Sequence, residues 1–332
     1  MLYSETDTYQ TNRIKFTSFF NEIDPNQIRK ELQAGLFAEN RWISSKFFYD
    51  DLGSNFFEDI TELEEYYPTR TEKSILNRIA AEKFGKFRNI DIVEFGSGDS
   101  GKISILFSNI HPENLSSIRY LPVDVSDLAL NKSAEELRDK FEGVTIECLH
   151  ADFLTQQRLI PHERKRYFCF FGSTIGNLEE SSAKEFLHEL NASMLPGDRL
   201  LIGFDLIKDH HILHAAYNDK LGVTADFNKN ILNVVNGYLS CNFQMDDFDH
   251  LAFYNKDMAR IEMHLVANRD VIINSILFEE PLNFRKGEHI HTENSHKYSL
   301  SKIREFAMET GFKVCEIYTD DKNWFALSEF EK

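Results

Sequence analysis

Between residues 89 and 102 an apolar, β-branched run, NIDIVEF, breaks into three closely spaced glycines and then resumes as KISILFSNI at helical spacing. No other stretch constrains the fold as strongly. The run predicts a buried strand. Strand, glycine turn and helix start together predict a nucleotide-binding site at the carboxyl edge of a parallel sheet. Glycines suit such a turn because a ligand must approach the backbone closely.

Gly96, Gly98 and Gly101 match G-x-G-x-x-G, a pattern that serves dinucleotides and other adenosine cofactors alike. Glu94 inside the strand and Lys102 after the last glycine lean away from a dinucleotide. The next strand candidate, IRYLPVDVS, reaches its acid at Asp124, beyond the usual spacing of roughly 20 residues. A carboxylate there suits both hydroxyls of a ribose. A third candidate, VTIECLHADF, ends at Asp152 and Phe153, an acid for an adenine amino group beside a ring to stack on it. Taken singly, Asp124 and Asp152 also read as helix N-caps or loop acids. Taken in series, the three strand ends predict a site for S-adenosylmethionine.

Strands over 91–95, 119–124, 144–149, 166–172 and 199–207 alternate with helices over 101–110, 127–141 and 181–195, which predicts a doubly wound, mainly parallel sheet. The alternation then stops. Residues 208–242 read as helices, and 250–296 as strands, with MARIEMHLVANRDVII alternating at period two. SLSKIREFAMETG reads as a helix, and KVCEIYTDDKNWFALSEF as a hairpin that returns an antiparallel final strand to the sheet. Residues 1–69 read as mostly helical with an irregular, Phe-rich middle, ending at Pro68. The expected organisation is a cofactor domain of residues 70–207 and 297–332, and an α+β substrate domain of 1–69 and 208–296. A length of 332 residues accommodates two such domains.

Composition excludes other classes. A net charge of −17 argues against a nucleic-acid partner. No apolar run reaches membrane-spanning length. The N-terminal residues are polar and lack a signal-peptide apolar region. Cys148, Cys169, Cys241 and Cys315 are scattered, without zinc-ligand spacing. A cytoplasmic, metal-free protein is expected, and acidity by itself implies only solubility. His210, His211 and His214 beside Asp209 read as a solvated helix face rather than a metal site.

Several longer motifs go together: FFYDDLGSNFFEDITELEEYYPTRTE (47–72), EFGSGDSGK (94–102), VDVS (123–126), ADF (151–153), GSTIGN (172–177), AYNDKLGVTADFNKNIL (216–232) and HTENSHKYS (291–299). From about Arg41 onward the chain resembles the histidine Nα-methyltransferase family of ergothioneine biosynthesis. The resemblance implies a class I Rossmann-like methyltransferase fold. It implies S-adenosylmethionine at Gly96, Lys102, Asp124, Asp152 and Phe153, with S-adenosylhomocysteine as product. It places an amino-acid substrate against Tyr49, Tyr66, Asn177, Tyr217, Met263, Glu293 and Ser295, with Tyr49 and Asn177 holding the reacting nitrogen. The implied reaction is successive methylation of the α-amino group of L-histidine to hercynine, by a monomer that takes a small-molecule substrate and uses neither membrane nor nucleic acid. The wider family also methylates other aromatic amino acids, so a tryptophan-like substrate is the alternative. A non-catalytic, cofactor-binding regulator is the alternative from another class.

The residues themselves support these roles unevenly. Asn177 follows the fourth strand, where such sheets face their ligands, although a turn Asn reads equally well. Glu293 and Ser295 are two apart on a strand and so share a face, with a carboxylate and a hydroxyl to suit the two nitrogens of an imidazole. An exposed polar strand face is the plainer reading. The three tyrosines also read as ordinary aromatic packing, and Met263 as core beside Ile261 and Leu265.

Overall fold

The computed structural model describes residues 7–11, 13–19, 25–98 and 100–332. In chain order its elements are β1 (Asp7–Thr11), β2 (Ile14–Ser18), α1 (Pro25–Leu36), α2 (Asp51–Glu62), α3 (Tyr67–Phe84), β3 (Ile90–Phe95), α4 (Gly101–Ser108), β4 (Arg119–Asp124), α5 (Asp127–Lys140) and β5 (Thr145–His150). They continue with β6 (Lys165–Phe170), α6 (Glu180–Ser193), β7 (Arg199–Asp205), α7 (His210–Tyr217), α8 (Val223–Leu239), β8 (Phe248–Asn255), β9 (Arg260–Ala267) and β10 (Val271–Ile273). The last are β11 (Leu282–Phe284), β12 (His289–His296), α9 (Leu300–Glu309), β13 (Lys313–Thr319) and β14 (Phe325–Glu331).

The chain divides into two compact units. One holds the N-terminal strands with Pro68–Ile207 and Lys297–Lys332. Its sheet runs β1-β2-β5-β4-β3-β6-β7-β14-β13. Strands from β2 to β7 pair in parallel, and β14 lies antiparallel between β7 and β13. This is the Rossmann-like methyltransferase sheet with its reversed final strand. The order reverses between β3 and β6, which makes the carboxyl ends of β3, β4 and β6 the ligand-facing crevice. β3 is buried along its whole length; four of its six residues are apolar, and its two acids are paired, Asp91 with Arg119 and Glu94 with the Tyr120 hydroxyl. Alternate side chains feed two cores. Ile92 joins Leu76, Ile103, Phe107 and Leu130, whereas Val93 and Phe95 join Phe186, Leu187, Ile303 and Phe306. Cys148 and Cys169 are free thiols in the sheet, and burial pushes Cys148 up to about 12.

Two expectations for residues 1–69 change. β1 and β2 form a hairpin, and β2 extends the sheet by pairing in parallel with β5. These residues therefore lie with the sheet unit and not with 25–67. Ile14 and Phe16 alternate inward at period two and complete the core beside Ile146 and Cys148. Five residues make a weak strand signal alone; an open edge of β5 makes it a strand. Pro68 also opens α3 instead of closing the preceding helix, because a proline in the first turn forfeits no helical hydrogen bond. Parts of that expected grouping, at residues 1–6, 12 and 20–24, lie outside the described residues.

The second unit holds α1 through Tyr67 with Lys208–His296. An antiparallel sheet, β12-β9-β8, packs against α8, whose Phe227, Ile231, Leu232, Val235 and Leu239 are buried. Asp50 caps α2 by accepting from Gly53 N–H at 2.8 Å, and Asn230 on α8 donates to the same oxygen at 2.8 Å. Only glycine fits at 53, since a Cβ would sit 1.7 Å from the Phe48 carbonyl oxygen.

Candidate active site

β3 delivers the glycine turn at the carboxyl edge of the sheet. Gly96 has φ +65°, and a Cβ there would face the edge of the Phe153 ring at 3.9 Å. At Gly98 a Cβ would meet nothing within 4 Å, so the backbone is open to a ligand. Gly98 N–H donates to Asp124 Oδ2 at 3.1 Å, and Ser126 N–H to Oδ1 at 3.0 Å. Asp124 thereby ties the end of β4 to the turn. Burial pushes its carboxyl pKa up, against the opposing pull of those backbone donors. Ser97 is buried, and its hydroxyl finds no hydrogen-bond partner among the described residues. An orphaned hydroxyl in an open glycine turn is what a bound polar ligand would satisfy. Phe153 packs against Phe95 and Phe170 at 5.6 and 5.4 Å between ring centres. Asp152 accepts from Leu154 N–H at 2.9 Å, so one of its oxygens does serve the local turn.

Two buried charge pairs of this unit went unread in the sequence. Glu72 on α3 is fully buried, with Oε2 2.8 Å from Lys102 Nζ. Gly172 N–H donates to both its oxygens, at 2.9 and 3.1 Å. A Cβ at Gly203 would lie 2.5 Å from Glu72 Oε1, so β7 passes this carboxylate only because it has a glycine there. Lys297 and Asp205, at the end of β7, form a second buried pair at 2.9 Å. Past β6, Gly172 and Ser173 both take left-handed conformations, and a single 3-10 turn, Thr174–Asn177, follows. The Ser173 hydroxyl accepts from Asp205 N–H at 2.8 Å. Asn177 thus sits just beyond the carboxyl end of a central strand.

The remaining candidates belong to the second unit. Tyr49, Phe57, Tyr66 and Tyr217 follow one another edge to face, with ring centres 5.7, 6.3 and 6.4 Å apart. The Tyr217 hydroxyl donates to Ser295 Oγ at 2.7 Å, and the pair is buried. On β12 the register shifts between His291 and Glu293, leaving Thr292 as an extra residue. Glu293 then lies opposite Met263, and Ser295 opposite Ile261, on the inward face of β9. Glu293 is 8% exposed and Ser295 5%, which removes the exposed-face reading for both. The Thr292 hydroxyl, at hydrogen-bond distance from Asn228 Oδ1 (2.7 Å) and the Met263 carbonyl (3.1 Å), holds the bulge. Asn228 also donates to the His264 carbonyl at 3.0 Å and to His250 Nδ1 at 2.9 Å. His250, kept neutral by burial, donates its Nε2–H to the Tyr217 carbonyl at 2.9 Å. Asn228 therefore joins the Tyr217 helix to the Glu293 strand. Asp209, His210 and His211 are exposed, and Asp209 caps α7.

Residues 28–332 match the family described as histidine-specific methyltransferase, SAM-dependent. The histidine N-alpha-methyltransferase of Mycolicibacterium smegmatis is 38% identical over 91% of this chain and 94% of its own length. The chain belongs to this family. The histidine N-alpha-methyltransferase of Mycobacterium tuberculosis is 37% identical over the same shares. Ergothioneine biosynthesis protein 1 of Schizosaccharomyces pombe is 27% identical over 83% of this chain and 37% of its own length. As a family member the protein is a SAM-dependent N-methyltransferase, with S-adenosylmethionine as its methyl donor and a small molecule as its substrate. The open turn and the orphaned Ser97 hydroxyl fit that donor. Among the described residues no helix is long and apolar enough to cross a membrane.

Proposed function

We propose that this protein methylates the α-amino nitrogen of L-histidine in successive steps to give the trimethylated betaine, hercynine. The observation that carries the reading is the buried polar set of Glu293 and the Tyr217–Ser295 pair, on the face lined by Met263. A carboxylate accepts from one imidazole N–H, and a hydroxyl serves the other nitrogen. An indole has one N–H and no second nitrogen, so it would leave a buried hydroxyl unmatched.

The donor supplies a methyl carbon made electrophilic by a sulfonium. Asp124 is assigned to its ribose hydroxyls, Asp152 and Phe153 to its adenine, and the Gly96 turn to its backbone approach. Lys102, steadied by Glu72, is assigned to its carboxylate. Tyr49 and Asn177 orient the substrate nitrogen, and Tyr66 and Tyr217 shield the methylammonium through their ring faces. In each step the nitrogen lone pair forms the C–N bond as the C–S bond breaks, and the new ammonium then loses a proton before the next transfer. The attacking nitrogen must be the neutral amine, so the substrate ammonium sheds its proton to solvent before the first transfer. Aligning that free base with the methyl carbon and excluding water are the main tasks, and the chemistry calls on no metal. The sheet unit is assigned to the donor and the second unit to the amino acid, in a monomer working in the cytoplasm.

The test is calorimetric titration of histidine and tryptophan into protein preloaded with S-adenosylhomocysteine, then mass spectrometry after adding S-adenosylmethionine. Histidine binding with mass gains of one to three methyl groups is expected. Cofactor binding without a response to histidine would move the substrate to another aromatic amine. Asn177→Ala should lower kcat by about 100-fold, the cost of a misplaced reactant, while S-adenosylhomocysteine binds as before. Equal loss of both would end its role at the nitrogen. Glu293→Ala should weaken histidine by about 10- to 100-fold, the worth of a hydrogen bond to a charged group, and tryptophan far less. An unchanged preference would remove the imidazole contact.

A further inference from the structure

The outer face of the β12-β9-β8 sheet carries histidines and a buried carboxylate that methyl transfer does not use. The register sets His291 opposite His264, and Asn294 opposite Glu262. Because of the Thr292 bulge, His291 and Asn294 share this face, and Asn294 Oδ1 lies 2.9 Å from His291 Nε2. Glu262 is 9% exposed. One of its oxygens accepts from Arg260 and Asn255, each at 2.9 Å, and the other lies 3.3 Å from His264 Nε2. The His264 ring lies parallel to Phe253 at 5.5 Å, with the His291 and His289 rings at 4.9 and 5.4 Å. One donor atom from each of Glu262, His264 and His291 lies within 4.8 Å of the others. His264 Nδ1 is buried and finds no hydrogen-bond partner among the described residues. Such an orphaned atom calls for a ligand or an ordered water.

We propose that Glu262, His264 and His291 hold a divalent transition-metal ion of the zinc class on this face. Two imidazoles and one carboxylate are a donor set that suits zinc and cobalt and leaves a position for water. Zinc keeps N and O ligands at about 2.0–2.2 Å, so small side-chain rotations must draw the three donors together. The surroundings already orient them: Asn294 holds His291, Phe253 flanks His264, and Arg260 with Asn255 holds Glu262. The Arg260 charge works against a cation, so binding should be weaker than at a structural zinc site. Such an ion would join β9 to β12 directly behind Met263, Glu293 and Ser295, giving metal occupancy a route to substrate affinity. The proposal stands on these residues alone and does not depend on the substrate.

Tag-free protein titrated with Co²⁺ should develop intense visible d–d bands, and Zn²⁺ should displace them at one ion per chain. His264→Gln and His291→Gln should each weaken Zn²⁺ by about tenfold or more. His211→Gln, in the exposed Asp209–His210–His211 cluster, should leave it unchanged. Unmodified protein that gives no Co²⁺ bands overturns the site whatever the variants do. So does unchanged affinity in both Gln variants, or a loss confined to His211→Gln.

Discussion

Replacing Glu72 with alanine should cost about 3–5 kcal/mol of stability, the usual penalty for leaving one member of a buried ion pair behind. Lys102 would lose the carboxylate 2.8 Å from its ammonium, and the Gly172 N–H would lose both of its acceptors. Gly203 would gain a void in place of the oxygen it is shaped to pass. The Lys102 ammonium would no longer be aimed, so S-adenosylhomocysteine should bind more weakly as well. Glu72→Gln should fall between the two: it keeps an acceptor for Gly172 but supplies no charge. Denaturant midpoints and a cofactor titration measure both effects. A loss below about 1 kcal/mol, typical of a surface pair, would show that Lys102 finds another partner and that Glu72 positions nothing.

Asn228→Ala should separate the two ligands of the enzyme. Asn228 is fully buried, and its amide serves the Thr292 bulge, the His264 carbonyl and His250. Truncation leaves these groups unmatched, each at a cost of about 1–3 kcal/mol less any local relaxation. The bulge that turns Glu293 inward loses its anchor, and so does the His250 bridge to the Tyr217 carbonyl. Histidine affinity should fall by about tenfold or more, one hydrogen bond's worth of misplacement, with S-adenosylhomocysteine affinity unchanged. Calorimetry with each ligand in turn reads this directly. A parallel loss of both affinities would mean general unfolding, and no loss of either would mean that β12 holds its register without Asn228.

The placement of the residues proposed for the donor was legible because they sit where a strand meets a turn. Gly96 follows β3, Asp124 ends β4, and Asp152 and Phe153 lie just past β5, and the alternation of apolar runs with helices predicts a parallel sheet with these ends on one edge. Glu72 was not legible. A glutamate on an amphipathic helix reads as solvated, and only the approach of Gly172 and Gly203 shows that it is enclosed. β2 was missed for a related reason: a five-residue strand gains its hydrogen bonds from β5, about 130 residues further along the chain.

The residues proposed for the amino acid divide along the same line. The residue types at Tyr217, Met263, Glu293 and Ser295 are in the sequence, and so is the two-residue spacing that puts Glu293 and Ser295 on one face. Which face that is depends on strand parity. Uninterrupted alternation from His291 would set Glu293 and Ser295 beside it on the outer face. The extra residue at Thr292 inverts the parity, turning both toward Met263 and leaving His291 with His264 and Glu262. Local sequence determined what these side chains can bind. The tertiary structure decided where they point, because the bulge is held by Asn228, a residue 64 positions away on another element.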